Sequence, residues 1–173
     1  MDLGATIVGL IIVVISIIPF VIISSVKKRK EKRLIQSLNN LALQENKNIS
    51  LHEIWGQNII GLDKDETAFY AIRKTKDNTT SYKVNLTEMQ KCSLINKSKN
   101  IKYDDGNATI TDKLALSFIN KEKEKEEVIV NFYDSEYDNP IMSGVLQIVE
   151  KWNKLLNEKI SALEKKDKSS AKK

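Results

Sequence analysis

KLALSFIN at 113–120, EVIVNFY at 127–133 and GVLQIVEKWNKLLN at 144–157 lie close together and change their hydrophobic period from two to helical. The first two alternate, with Val128, Val130 and Phe132 on one face, as half-buried strands do. The charged KEKEKEE between them (121–127) suits a solvated turn and discourages edge pairing. Asn139-Pro140 then marks a helix start, because proline is tolerated in a first turn. Ile141, Val145, Ile148, Val149, Trp152, Leu155, Leu156 and Ile160 form an apolar stripe too broad for a coiled-coil seam. Two strands feeding a long amphipathic helix therefore predict a sheet with that helix lying on it.

Further N-terminal, short apolar runs repeat the strand pattern. NIIGL (58–62) and TAFYAIR (67–73), separated by DKDE, predict a hairpin. SYKVNL (81–86) and CSLINK (92–97) follow, with TEMQK between them, and YDDGNATI (103–110) carries an Asp-Gly turn signal. Before these, Leu34, Leu38, Leu41 and Ala42 recur at helical spacing, predicting an amphipathic helix over 27–48 that either packs on the domain or spaces it from what precedes it. Under two heptads is too little for a stable coiled coil.

Leu3 to Val26 is 24 residues without a charge. At ~1.5 Å per residue this spans ~36 Å, enough for a hydrocarbon core of about 30 Å. Lys27, Lys28, Arg29, Lys30, Lys32 and Arg33 follow at once, with none before the apolar run. A signal peptide has the basic end first and a shorter apolar stretch, so residues 1–26 read as a retained transmembrane anchor. The positive-inside bias places the N-terminus outside and the rest in the cytoplasm. Ala5 and Gly9 form a small-xxx-small pair compatible with a homodimer. Asn-x-Ser/Thr triplets at Asn48, Asn78, Asn85, Asn96 and Asn107 are discounted as chance products of an Asn-rich composition.

Charge distribution excludes one class of partner. The run 27–33 carries +5, residues 159–173 carry +4 and Asp2 carries −1, leaving −3 for 34–158 of the chain's net +5. A mildly acidic folded part has the wrong sign for tracking nucleic acid. The six cations after the anchor are instead candidates for contact with anionic lipid headgroups.

No catalytic, cofactor-binding or metal-binding residues are assigned. His52 is the only histidine and Cys92 the only cysteine, so a paired metal-ligand spacing is absent. Cys92 lies in an apolar run and reads as a buried thiol. The acidic groups around Asp63, Asp104 and Asp134 lack the calcium-loop register and read as turns. Trp55 and Trp152 read as core, with a ligand groove as the alternative. An enzyme is not expected.

Six or seven short antiparallel strands followed by one C-terminal helix resemble a pleckstrin-homology-like (PH-like) barrel over about residues 50–160. EIWGQNIIGLD (53–63), VNLTEMQKC (84–92) and GVLQIVEKWNKLLN are similar to segments of small single-span bacterial proteins of an uncharacterised family. The expected organisation is α+β: anchor 1–26, basic juxtamembrane helix 27–48, PH-like domain 49–160 and a disordered basic tail 161–173. An α+β sheet with one packed helix, unrelated to that barrel, is the alternative. The resemblance implies a binding or scaffold module with an unknown protein partner at the inner membrane face, or an anionic-lipid sensor. Lipid-binding members place cations around the first strand–strand loop. Here that loop is read as Asp63-Lys64-Asp65-Glu66, which departs from the pattern. A convergent groove of Lys74, Lys76 and Lys83 would restore it.

Overall fold

The computed structural model describes residues 26–76, 78–103, 106–122, 126–138 and 144–170, with backbone alone at 101–103, 106–108 and 170. The expected anchor, apart from Val26, lies outside these residues. Among the described residues no helix is long and apolar enough to cross a membrane. The chain divides into two compact units after Ser37. The described part of the first is helical and belongs to α1 (26–43); the second holds everything else.

The second unit is α+β. Strands β1 (Ile49–Trp55), β2 (Asn58–Asp63), β3 (Ala68–Lys74) and β4 (Thr79–Asn85) form an antiparallel meander in the order β1-β2-β3-β4. A 3-10 turn, Leu86–Glu88, leads to β5 (Met89–Tyr103), β6 (Gly106–Asn120) and β7 (Val128–Asp134), a second sheet in the order β5-β6-β7. Helix α2 runs from Val145 to Ser170. Among the described residues no ladder joins the two sheets, so the expected barrel is not closed.

Alternation explains the packing. Ile60, Leu62, Phe69, Ala71 and Val84 from the first sheet meet Leu114, Leu116, Phe118, Val130 and Phe132 from the second. Val149, Trp152, Leu156 and Ile160 of α2 complete one core. Phe69 touches both other layers, with ring centroids 5.4 Å from Phe118 and 5.7 Å from Trp152. Trp55 stacks on Phe132 at 4.8 Å and donates its indole N–H to the Phe132 carbonyl, tying β1 to β7. Both tryptophans are thus buried in the core.

The opposite face of the first sheet is covered by the end of α1, where Leu38 and Ala42 are buried. A Cβ at Gly61 would lie 2.7 Å from Leu38 Cδ2 and 2.9 Å from the Leu51 carbonyl oxygen, so only glycine admits this approach. The helix ends at 43 rather than 48. Asn46 takes φ 55°, the Lys47 amide reaches the Ala42 carbonyl and the Asn46 amide the Leu43 carbonyl. That pair of bonds is a Schellman closure.

Other boundaries also differ from expectation. β1, absent from the sequence reading, is an edge strand whose exposed middle (Ser50, Leu51, His52) hides any alternation. β5 and β6 are 15 residues each, far longer than the six- and eight-residue runs expected. The expected helix start at 139–140 lies outside the described residues. The tail expected to be disordered from 161 is helical to Ser170. Half-buried Leu163 packs on the core and Lys168 pairs with Glu164 one turn back, at 2.6 Å.

Candidate functional site

The six cations proposed as lipid contacts, Lys27, Lys28, Arg29, Lys30, Lys32 and Arg33, are all exposed on α1. At ~100° per residue their side chains leave the axis in every direction. They form a collar, whereas a helix lying flat on a surface would gather its cations on one polar face.

In the second unit, polar side chains cluster where α1 ends against the first sheet. Fully buried Tyr70 donates its hydroxyl to Glu45 at 2.7 Å, and Lys83 lies 3.5 Å from the same carboxylate. Burial and then Glu45 push the Tyr70 phenol well above its ordinary value. Lys47 meets Asp65 at 2.9 Å and Asp63 at 3.3 Å; the Asp65 hydrogen bond leads in raising its pKa. Asp63 accepts from the Thr67 and Ala68 amides at 2.7 and 2.8 Å and from the Thr67 hydroxyl at 2.9 Å. Burial alone would raise its pKa, but these donors and Lys47 outweigh that and hold the carboxyl below its ordinary range.

An open cleft of about 610 Å³ adjoins this cluster, lined by Glu45, Lys47, Lys83, Asn85 and Glu88 among others. Its charges are of both signs and each is engaged by a neighbour, Lys83 by Glu45, Lys47 by Asp63 and Asp65, and Glu88 by Asn85, so it favours no single ligand charge. A shallower groove of about 500 Å³ runs along α2 past Asn157, Ser161 and Ala162.

The structure does not assemble the other candidates. Lys74 and Lys83 share the outer face of the first sheet, but Lys74 pairs with Thr79, four residues from Lys83 on β4. At ~3.4 Å per residue they stand ~14 Å apart, and Lys83 is held by Glu45 and Gln44. Lys76 is exposed beyond the end of β3. Because β1 precedes β2, the first strand–strand loop is Gly56-Gln57 and the acidic Asp63–Glu66 turn is the second. His52 is exposed on β1 while Cys92 is buried on β5, in the other sheet. Burial pushes the Cys92 thiol up to about 12, which keeps it protonated and unreactive at neutral pH. Among the described residues no group of three or more His, Cys, Asp or Glu is placed to hold a metal ion.

Two contacts went unforeseen. Glu53 accepts from the Trp152 indole at 2.6 Å and from Lys151 at 2.8 Å, joining β1 to α2. The Asn157 amide brackets the backbone of Cys92, accepting from its N–H at 2.9 Å and donating to its carbonyl at 2.7 Å. The side chain thus stands in for a neighbouring strand on the edge of β5.

No family model matches the chain, and no curated protein or solved structure is significantly similar to it.

Proposed function

We propose that this chain is a non-catalytic binding module, tethered to the cytoplasmic face of a membrane by residues 1–26 and engaging a protein partner through a PH-like domain. The observation that carries the reading is the collar: six exposed cations encircling a helix directly after 24 uncharged residues. Headgroups surround a helix leaving a bilayer on all sides, and each Lys or Arg near them is worth about 1 kcal/mol. The four-plus-three strand order with one C-terminal helix supports the PH-like reading of the domain. Lipid sensing by the domain itself is the weaker alternative, since Lys83 is engaged by Glu45 and the Asp63–Glu66 turn is acidic.

Fusions to Lys173 test the tether. A fluorescent protein that matures in the cytosol is expected to glow, and a phosphatase active only outside the cytoplasm to stay silent. Replacing all six collar cations with glutamine should shift a measurable fraction to phosphatase activity, because orientation follows the cation bias. Phosphatase activity from the native chain would reject the topology.

A further inference from the structure

Four strands end the two sheets, and three of their outer edges are interrupted or occupied from within the chain. β1 is broken by a bulge between Ile49 and Leu51. On β5 the Asn157 amide closes on the backbone of Cys92, and on β7 the Trp55 indole takes the Phe132 carbonyl. β4 carries no such device along its middle.

Two bonds fix which way its backbone faces. The Thr75 N–H donates to the Asn78 carbonyl at one end of the β3–β4 ladder, and the Leu86 N–H to the Thr67 carbonyl at the other. Bonded pairs alternate in an antiparallel ladder, so Thr80, Tyr82 and Val84 bond to β3. Thr79, Ser81, Lys83 and Asn85 then turn their backbone groups to the open side. The Asn78 side chain takes the Thr79 amide at 2.8 Å. Among the described residues Ser81 and Lys83 keep both groups free, and Asn85 keeps its N–H. Ser81 and Asn85 are exposed.

The open cleft of about 610 Å³ adjoins this row. Lys83 and Asn85 share the outer face of the sheet with their ladder partners Tyr70 and Ala68, and Lys83, Asn85 and Ala68 line the cleft. A strand laid about 4.8 Å beyond β4 sends every second side chain to that face. Because the charges of the cleft are already matched with neighbours, the side chain that fits it is polar and uncharged. The free row from Ser81 to Asn85 is about 14 Å long. That is far too little for a stable dimer, which uses about 800 Å² per partner, but it matches one short extended segment.

We propose that the β4 edge and its cleft bind an extended segment of a partner protein, which adds a strand beside β4 and seats an uncharged polar side chain in the cleft. The proposal rests on the reading of the chain as a protein-binding module and gives that module its surface. Main-chain bonds supply the affinity in such strand addition, and the cleft supplies the selectivity.

Linear peptides selected from a random library on the full-length protein in mild detergent are the probe. Bound peptide should slow hydrogen exchange at the Ser81, Lys83 and Asn85 amides and leave Tyr82 and Val84, already bonded to β3, as they were. N-methylation along the peptide should abolish binding at every second residue only. Ser81→Pro removes one outward N–H without touching the ladder to β3, and should weaken binding at least about tenfold. A library that yields no binder, protection at other amides, or an N-methyl scan without a period of two overturns the proposal. Protection of the same amides in the free protein as its concentration rises also overturns it, the occupant then being a second copy. The selection uses neither a bilayer nor a reporter, so its failure leaves the tether standing, and a reversed topology leaves a positive selection standing. Peptides that bind another surface preserve the protein-partner reading and remove this edge from it.

Discussion

Gly61 shows how one missing carbon sets the meeting of α1 and the first sheet. Alanine there must displace both the Leu38 methyl and a backbone carbonyl. We expect Gly61→Ala to cost about 1–3 kcal/mol, the usual penalty of overpacking, seen as a lower denaturation midpoint. Asp63 acts oppositely, by binding rather than excluding. Its carboxylate satisfies two amides and a hydroxyl, so Asp63→Asn should cost about 1–3 kcal/mol at neutral pH. A carboxyl with a lowered folded pKa contributes stability above its ordinary value of 3.8 and loses it as pH falls through the folded value. The gap between native and Asp63→Asn protein should therefore close in denaturation curves below about pH 4. Cys92 offers a simpler check: a thiol raised to about 12 should resist a maleimide at pH 7 and react once denatured.

Helix α2 is the element that joins the layers. Trp152 lies against Phe69 and hydrogen-bonds Glu53, so Trp152→Ala should cost about 3–5 kcal/mol. Trp152→Phe should recover much of this but not the Glu53 bond, and chemical denaturation would separate the two. α2 was also the most legible element. Its stripe named Val149, Trp152, Leu156 and Ile160, all buried, because a 3.6-residue period over several turns is hard to produce otherwise. Its ends were less legible, since the last turns hold through Leu163 and an exposed ion pair rather than a continuous stripe. β1 was illegible for a different reason. An edge strand is specified by its neighbour's backbone, and ISLHEIW carries no alternation of its own. The Asn157 bracket could not be read either, because it pairs a side chain with backbone 65 residues away.

At the scale of the whole molecule, an antiparallel α+β order with a final helix was predictable, but not β1 or the division into two sheets without closure. Closure depends on which edges meet, and local hydrophobic period does not encode that. The same limit hid the length of the β5–β6 hairpin. β7 pairs only with residues 113–118 of β6, while the β5–β6 ladder continues from Ser98 and Thr111 to Tyr103 and Gly106. Lys97, Ser98, Lys99 and Asn100 are exposed, although Lys99 and Asp112 reach Ser135 and steady the base. At about 3.3 Å per residue the two-stranded part extends roughly 20 Å. Backbone amides along this one hairpin should then exchange with deuterium in two regimes. Near Cys92 and Leu116 exchange must wait for the domain to unfold, while past Ser98 it needs only fraying of a two-stranded ribbon. The position of the step in exchange rate would locate the edge of the cooperatively folding unit to within a residue or two, inside a single unbroken ladder.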